Sequence, residues 1–237
     1  MTASTIAGIR TELKSIADPD IAAHSQRFFK TGPGEYGEGD EFLGIRVPVL
    51  RKAARKHRSL PLSEVESLLQ SPIHEERLLA LFILVIQYEQ GEKSVRKRIF
   101  DLYCQNMSCV NNWDLVDSSA HKIVGDYLRD RSRRLLHRLA KSGVLWERRI
   151  AIMTTLAFIK DDDFEDTLLL SETLLHDKED LIHKAVGWML REVGNRDRDI
   201  EEAFLKDHYE EMPRTMLRYA IERFPEAKRK RYLNGTI

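Results

Sequence analysis

A chain of 237 residues, 42% apolar and 32% charged, has the composition of a folded globular protein, which excludes a disordered chain. The 38 basic residues balance the 38 acidic ones, so binding to nucleic acid through overall positive charge is disfavoured. No apolar run approaches the ~20 residues of a membrane-spanning helix, and the N-terminus has no signal-peptide core.

Helical periodicity recurs along the chain and almost no strand pattern is present, which predicts an all-α fold. Breakers such as Ser71-Pro72, Gly91 and Met212-Pro213 separate the helices. We predict helices over residues 6–16, 21–29, 47–56, 62–69, 74–88, 95–106, 113–128, 132–141, 146–159, 166–175, 180–193, 200–208 and 216–224.

Similar helical segments recur at about 33–40 residues, the period of two-helix solenoid repeats. PIHEERLLALFIL and DLIHKAVGWMLREV are examples, and each is apolar on more than one side. We therefore predict one HEAT-like repeat solenoid of antiparallel helix pairs over residues 1–237, with no linker. The concave surface of such a stack is a natural groove for an extended partner.

Charge is distributed in clusters, which the neutral total conceals. Basic residues concentrate at 46–58, 129–141, 148–149 and 191–198, and acidic residues at 161–166 and 177–180. One basic and one acidic face would give this pattern, and so would solvated helix surfaces of mixed sign. Cys104 and Cys109 are too close together to link distant segments, which favours a reducing cytoplasm.

Residues 30–40 form a glycine-rich loop that interrupts the helical pattern. The loop lacks the Gly-Lys-Ser/Thr ending of a P-loop and follows no strand, which excludes nucleotide binding of that kind. A mobile element touching DNA is one interpretation. We favour a long helix connection instead, since Glu35, Glu38 and Asp40 would repel phosphates.

Trp113 and Asp117 lie four residues apart on one predicted helix and so share a face. They lie off the core stripe of that helix, which includes Val116 and Ala120. A tryptophan beside a carboxylate away from the core has a packing cost without an evident packing gain, which is compatible with a functional pair, although the spacing taken alone favours a structural role. The structural alternative is that Trp113 caps a neighbouring repeat while Asp117 makes a local salt bridge.

Trp188 lies in a basic and polar stripe with Lys184 and Arg191, which suits contact with a sugar and phosphates or with a protein partner. Arg149 falls on an apolar stripe, so it needs a carboxylate or a DNA phosphate as partner. Arg148 is predicted to be the more exposed neighbour, and Trp146 is interpreted as structural.

No metal site or activated nucleophile is evident. His74-Glu75-Glu76 lacks the second histidine of a zinc-protease helix, and no serine or cysteine has an identifiable base. We therefore predict neither metal nor cofactor, and any catalysis must depend on a carboxylate with aromatic walls.

Four segments resemble the AlkD-type DNA alkylation repair glycosylases, in the same order and nearly from end to end. They are FLGIRVP from position 42, NWDLVDS from 112, WERRIAI from 146 and KAVGWMLRE from 184. The resemblance implies a HEAT-like solenoid that excises cationic lesions such as 7-methylguanine and 3-methyladenine from duplex DNA. It departs from the family at Asn112, where an aromatic residue is common, and in a longer loop near Gly34.

The resemblance places the family's catalytic aspartate on Asp117, its cleft tryptophans on Trp113 and Trp188, and its cleft arginine on Arg149. It implies cleavage without base flipping, by a monomer acting at the nucleoid in the cytoplasm. We expect these four side chains to converge on the concave face, with phosphate contacts from Arg148, Arg149, Lys184 and Arg191. The alternative is a non-catalytic module that binds bent or branched DNA or a protein partner.

Overall fold

The computed structural model describes residues 5–237, and its helical content confirms the predicted all-α fold of helical repeats. About 70% of the chain is helical, and the described residues contain no strand. A single isolated parallel bridge joins Glu41 to Ile73. The start of the predicted domain, at residues 1–4, lies outside the described residues.

The helices follow one another through short turns. In chain order they are α1 Ile6–Ser15, α2 Pro19–Phe28, α3 Val47–Lys56, α4 Leu62–Leu69, α5 His74–Gln90, α6 Lys93–Gln105, α7 Trp113–Ala120, α8 Asp126–Leu128, α9 Arg134–Leu139, α10 Leu145–Thr154, α11 Leu156–Ile159, α12 Glu165–Thr173, α13 Asp180–Arg196, α14 Arg198–His208, α15 Arg214–Ala220 and α16 Glu226–Asn234.

Local sequence explains where several helices begin. Thr5, Asp18 and Asp197 each have extended backbone dihedral angles, and their side-chain oxygens accept hydrogen bonds from the first backbone N–H groups of α1, α2 and α14. Such caps satisfy donors that have no partner within the helix. Pro19 at the start of α2 adds a preset φ angle.

Three details differ from the predicted helices. The predicted helix over 113–128 contains a π-helical turn at His121–Gly125, between α7 and α8. The helix predicted over 146–159 divides at Thr155. Helix α16 was missed, because its nine residues are strongly polar and only Tyr232 is buried. Apolar periodicity, the signal on which the predictions depended, is absent there.

The residues group into two compact units, one up to Ser119 and one from Ala120 to Ile237. The centre of the first unit is α5, which is buried over most of its length and packs against α3 and α4. The centre of the second is α13, which packs against α10, α14 and α15. The single domain over 1–237 remains a prediction.

Gly187 is a point of close approach between α13 and α15 in the second unit. A Cβ atom at Gly187 would lie 2.4 Å from the carbonyl oxygen of Met216 and 2.6 Å from the Cβ of Tyr219. A backbone atom cannot move aside as the end of a flexible side chain can. The close packing of α13 on α15 therefore depends on glycine, which has no side chain, at position 187.

We expect Gly187→Ala to lower the free energy of unfolding by roughly 1–3 kcal/mol, because the added methyl group overpacks the helix interface. Gly143→Ala is the control, since a Cβ there meets nothing within 4 Å. Urea denaturation followed by circular dichroism measures both. Equal stability of the two variants would show that the helices separate without cost.

Candidate functional site

Trp113 belongs to a cluster of aromatic rings in the first unit. Its indole stacks on Phe29, with ring centroids 5.2 Å apart and an angle of 14° between the planes. Phe28 meets Trp113 edge-on at 6.0 Å, and its side chain is 58% exposed. Trp113 itself is half-buried. It therefore forms part of an aromatic platform that reaches solvent, rather than a core packing element.

The platform extends inward from Phe29. Phe42 stacks on Phe29 at 5.1 Å, and the imidazole of His74 lies 4.9 Å from Phe29 and 4.6 Å from Phe42. Residues from α2, the loop before α3, α5 and α7 thus meet in one stack. Offset and tilted ring pairs of this kind contribute about 0.5–1.5 kcal/mol each beyond the area that they bury.

His74 is held between two carboxylates. Its Nδ1 lies 3.2 Å from Oδ2 of Asp40, and its Nε2 lies 2.9 Å from Oδ2 of Asp114. The imidazole is only 2% exposed. Both ring nitrogens therefore face an acceptor, which only the doubly protonated ring satisfies with two N–H donors.

The protonated ring is favoured electrostatically as well. Burial lowers the pKa of His74, but the negative charge of Asp114 and the hydrogen bonds to Asp114 and Asp40 outweigh it and raise the pKa to about 9. Nearby Arg77 opposes this rise. At neutral pH the site therefore contains a buried imidazolium, with no nitrogen lone pair for a metal ion.

Asp40 ends the glycine-rich loop and anchors it. Its carboxylate accepts hydrogen bonds from Nη2 of Arg77 at 2.6 Å and from Nδ2 of Asn112 at 3.2 Å, besides its contact with His74. Burial raises the pKa of Asp40, but the bond from His74 and the charge of Arg77 lower it overall. The expectation that Asp40 would repel phosphates is wrong, because its charge is buried and neutralised.

The loop remains a helix connection, as predicted, and its other two acidic residues make local bonds. Glu35 accepts a hydrogen bond from the backbone of Gly32, and Glu38 accepts one from Gly34, both at 2.9 Å. Asn112, the position that departs from the resembled family, is fully buried against Asp40. Asn112 directly precedes Trp113, so its hydrogen bond to Asp40 links the end of the loop to the start of α7.

A cavity of about 380 Å³ opens beside the aromatic cluster. Its wall includes Phe29, Phe42, His74 and Asp114, and its other side is formed by the start of α3 at Arg46–Pro48. Glu75 fixes this second side, since its carboxylate accepts hydrogen bonds from the backbone N–H groups of residues 43–45 at 2.7–3.1 Å.

Asp117 lies one helical turn after Trp113 and is half-buried. Burial and the charges of Cys104 and Asp117 raise the pKa of Tyr103, whose hydroxyl lies 3.1 Å from Oγ of Ser119. Asp117 therefore places its negative charge close to a buried phenol, on the helix face that also carries Trp113.

In the second unit, α13 carries Trp188 half-buried, with its Nε1 donating to Glu192 at 2.9 Å. Lys184 forms an ion pair with Asp180 at 2.7 Å, and Arg191 forms one with Glu222. The stripe that the sequence presented as basic thus includes carboxylates from the same helix and from beyond it.

Arg148 and Arg149 are held within the second unit as well. Arg148 donates to the carboxylate of Asp177 at 2.6 Å, and it is more exposed than Arg149, as predicted. Arg149 is 4% exposed and donates to the backbone carbonyl of Leu181. Trp146 is buried, which agrees with its structural interpretation. Convergence of the four cleft residues and their roles remain predictions.

Sequence reasoning missed Phe28, Phe29 and the clamp on His74, which was examined only as a metal ligand. A signal was present, since His74-Glu75-Glu76 starts a helix in which residues 78–86 are all apolar, and all three side chains are buried. Charged residues are almost never fully buried unless they are paired. Within residues 5–237 no group of metal-binding side chains is found.

We expect His74 to make stability depend on pH. Its folded pKa of about 9 exceeds the model value of 6.5, so its contribution is complete below pH 6.5 and is lost as pH rises towards 9. The loss is on the order of 3 kcal/mol. The stability difference between the native protein and His74→Gln should therefore shrink over this range, as measured by urea denaturation at each pH.

The exposed His176 provides the matched control variant His176→Gln, which is measured over the same range. A difference for His74→Gln that does not change between pH 6.5 and 9 would mean that the buried ring is neutral.

Comparison with family models identifies the family, and comparison with solved structures supports the fold. The family model described as "DNA alkylation repair enzyme" matches residues 9–224. A solved structure described as a predicted DNA alkylation repair enzyme from Enterococcus faecalis is similar in fold, with a TM-score of 0.70 and 17% identity over 89% of this chain and 97% of that one. No curated protein matches. No described helix has the length and apolar character to span a bilayer. The chain belongs to the DNA alkylation repair enzyme family.

Proposed function

We propose that this protein is a DNA glycosylase that excises cationic alkylated bases, such as 7-methylguanine and 3-methyladenine, from duplex DNA. The observation that carries the proposal is the half-buried Asp117 one turn after Trp113, in a chain of the DNA alkylation repair family. The protein acts as a monomer in the cytoplasm and needs no cofactor.

The chemistry requires little from the enzyme beyond charge. An alkylated purine is already cationic, so it leaves without being protonated. As its glycosidic bond breaks, positive charge develops on the deoxyribose, and the Asp117 carboxylate stabilises that charge. The same carboxylate orients the water that attacks the sugar. Asp117 lies in the second turn of α7, one turn beyond Trp113.

The tryptophans supply the second part of the proposed mechanism. The electron-rich faces of Trp113 and Trp188 attract a cationic lesion or sugar. The stack of Trp113 on Phe29 limits the freedom of the indole, so less conformational entropy is lost when DNA binds. In this mechanism the lesion is not inserted into an enclosed base pocket, in contrast to glycosylases that flip the base.

We expect Asp117→Asn to lower the single-turnover rate of 7-methylguanine release by ~100- to 1,000-fold, the usual effect of removing one preorganised electrostatic interaction. Affinity for DNA should be unchanged or slightly higher, because DNA is itself negative and the charge acts only as the sugar becomes cationic. Release of methylated bases from alkylated duplex DNA, at saturating enzyme, measures the rate.

Asp101→Asn is the matched control, since Asp101 is an acidic residue of the same unit whose side chain is 40% exposed on α6. Its rate should equal that of the native protein. If Asp117→Asn releases bases at the native rate, Asp117 is structural and its catalytic assignment is wrong, whereas a native protein that releases no methylated bases is the non-catalytic DNA-binding or protein-binding module.

Trp188→Ala should differ from Asp117→Asn by weakening binding of the lesion as well as slowing its release. The reason is that an indole face contacts the ground state and the transition state alike. Titration of the single-turnover rate against enzyme concentration separates the two effects. An unchanged half-saturation concentration would exclude Trp188 from contact with the lesion.

A further inference from the structure

Some basic side chains of the protein form ion pairs with carboxylates, and others do not. Three of the four residues predicted to contact phosphates in the second unit, Arg148, Arg191 and Lys184, each form an ion pair with a carboxylate. To bind a phosphate, such a residue must first give up its carboxylate partner. At these positions the carboxylate partners therefore offset much of the electrostatic attraction between the basic side chains and DNA.

Helix α3 of the first unit presents the opposite situation. Residues 46–60 contain six arginines and lysines and no acidic residue, although the whole chain is neutral. Lys56 alone among the six pairs with a carboxylate, that of Glu12 at 2.6 Å. Arg46, Arg51, Lys52, Arg55 and Arg58 are exposed and form no ion pair with any residue in the described part of the chain.

The packing of α3 explains this separation. Leu50, Ala53 and Ala54 are buried against the unit, so the charged residues between them must face outward. Arg51 and Arg55 are one turn apart, and so are Lys52 and Lys56, which puts their Cβ atoms about 5–6 Å apart in two adjacent rows. Arg51 is also held over the ring of Phe82 at 5.1 Å.

The basic helix is continuous with the aromatic platform. Arg46, Val47 and Pro48 at the start of α3 line the same cavity as Phe29, the ring on which Trp113 stacks. Val47 and Val49 are more than 40% exposed, so apolar contacts lie beside the charges. A strand passing Trp113 would therefore reach α3 without leaving the first unit.

From these observations we propose that the outer face of α3, formed by Arg51, Lys52 and Arg55, together with Arg46 just before the helix, binds the sugar–phosphate backbone of the DNA strand that contacts Trp113. The inference rests on the proposed function for its ligand and adds the surface that holds that ligand. Duplex DNA fits because its regular row of phosphates complements rows of unpaired cations, and each neutralised phosphate releases counterions.

The test compares two double variants that each remove one lysine and one arginine. Lys52→Gln/Arg55→Gln neutralises α3, and Lys93→Gln/Arg98→Gln neutralises exposed residues of α6 that likewise form no ion pair in the described structure. Glutamine keeps good helix propensity. The affinity of the full-length protein for unmodified duplex DNA is measured between 50 and 200 mM salt, after circular dichroism has verified folding.

We expect the plot of log affinity against log salt to lose about 1.8 from its slope in the α3 variant, the value for two phosphate contacts. The α6 variant should keep the native slope. The exchange variant Lys52→Arg/Arg55→Lys keeps both positive charges, so it should keep the native slope. An unchanged slope in Lys52→Gln/Arg55→Gln overturns the proposal.

Two further results distinguish this inference from the proposed function. If the native protein releases no methylated bases while the α3 variant still loses slope, the glycosylase proposal fails and the DNA surface stands. If the α3 variant loses affinity for phosphatidylserine vesicles but keeps native DNA binding, the surface is specific for membranes and the inference is overturned. A native protein that binds no DNA overturns both.

Discussion

The buried imidazolium of His74 is the interaction on which the first unit depends. It joins the end of the glycine-rich loop, through Asp40, to the first turn of α7, through Asp114. Phe29 and Phe42 cover its ring and carry the stack to Trp113. Removing one partner of a buried ion pair typically costs about 3–5 kcal/mol, because the remaining charge is left without compensation. The position of Trp113 is thus coupled to the protonation of His74.

Pairing of charge within the protein also decides which surface is available to an anion. A neutral chain can still bind DNA if its carboxylates neutralise some cations and leave others unpaired. In the second unit Asp177, Asp180 and Glu222 neutralise Arg148, Lys184 and Arg191, respectively. In the first unit the outer face of α3 has no such neighbours, so the electrostatic attraction is concentrated beside the aromatic platform.

The proposed chemistry and this architecture make different demands on the same helix. Catalysis needs Asp117 ionised and partly desolvated near the sugar, whereas stability needs Asp114, three residues earlier, to neutralise His74. Helical geometry directs the two carboxylates to neighbouring positions with separate partners. Asp114 therefore has a structural role, although it is nearer to Trp113 in the sequence than Asp117 is.

The sequence alone determined the helical class, nearly every helix and the placing of Trp113 and Asp117 off the core stripe, because periodicity and four-residue spacing are local properties. It correctly interpreted residues 30–40 as a connection. Only the tertiary structure revealed that Asp40 is buried and that His74 is a clamped cation. It also distinguished the paired arginines of the second unit from the unpaired ones of α3. The reason is physical: burial and ion pairing depend on residues 29 to 72 positions away in the chain, and no local pattern records which of them meet.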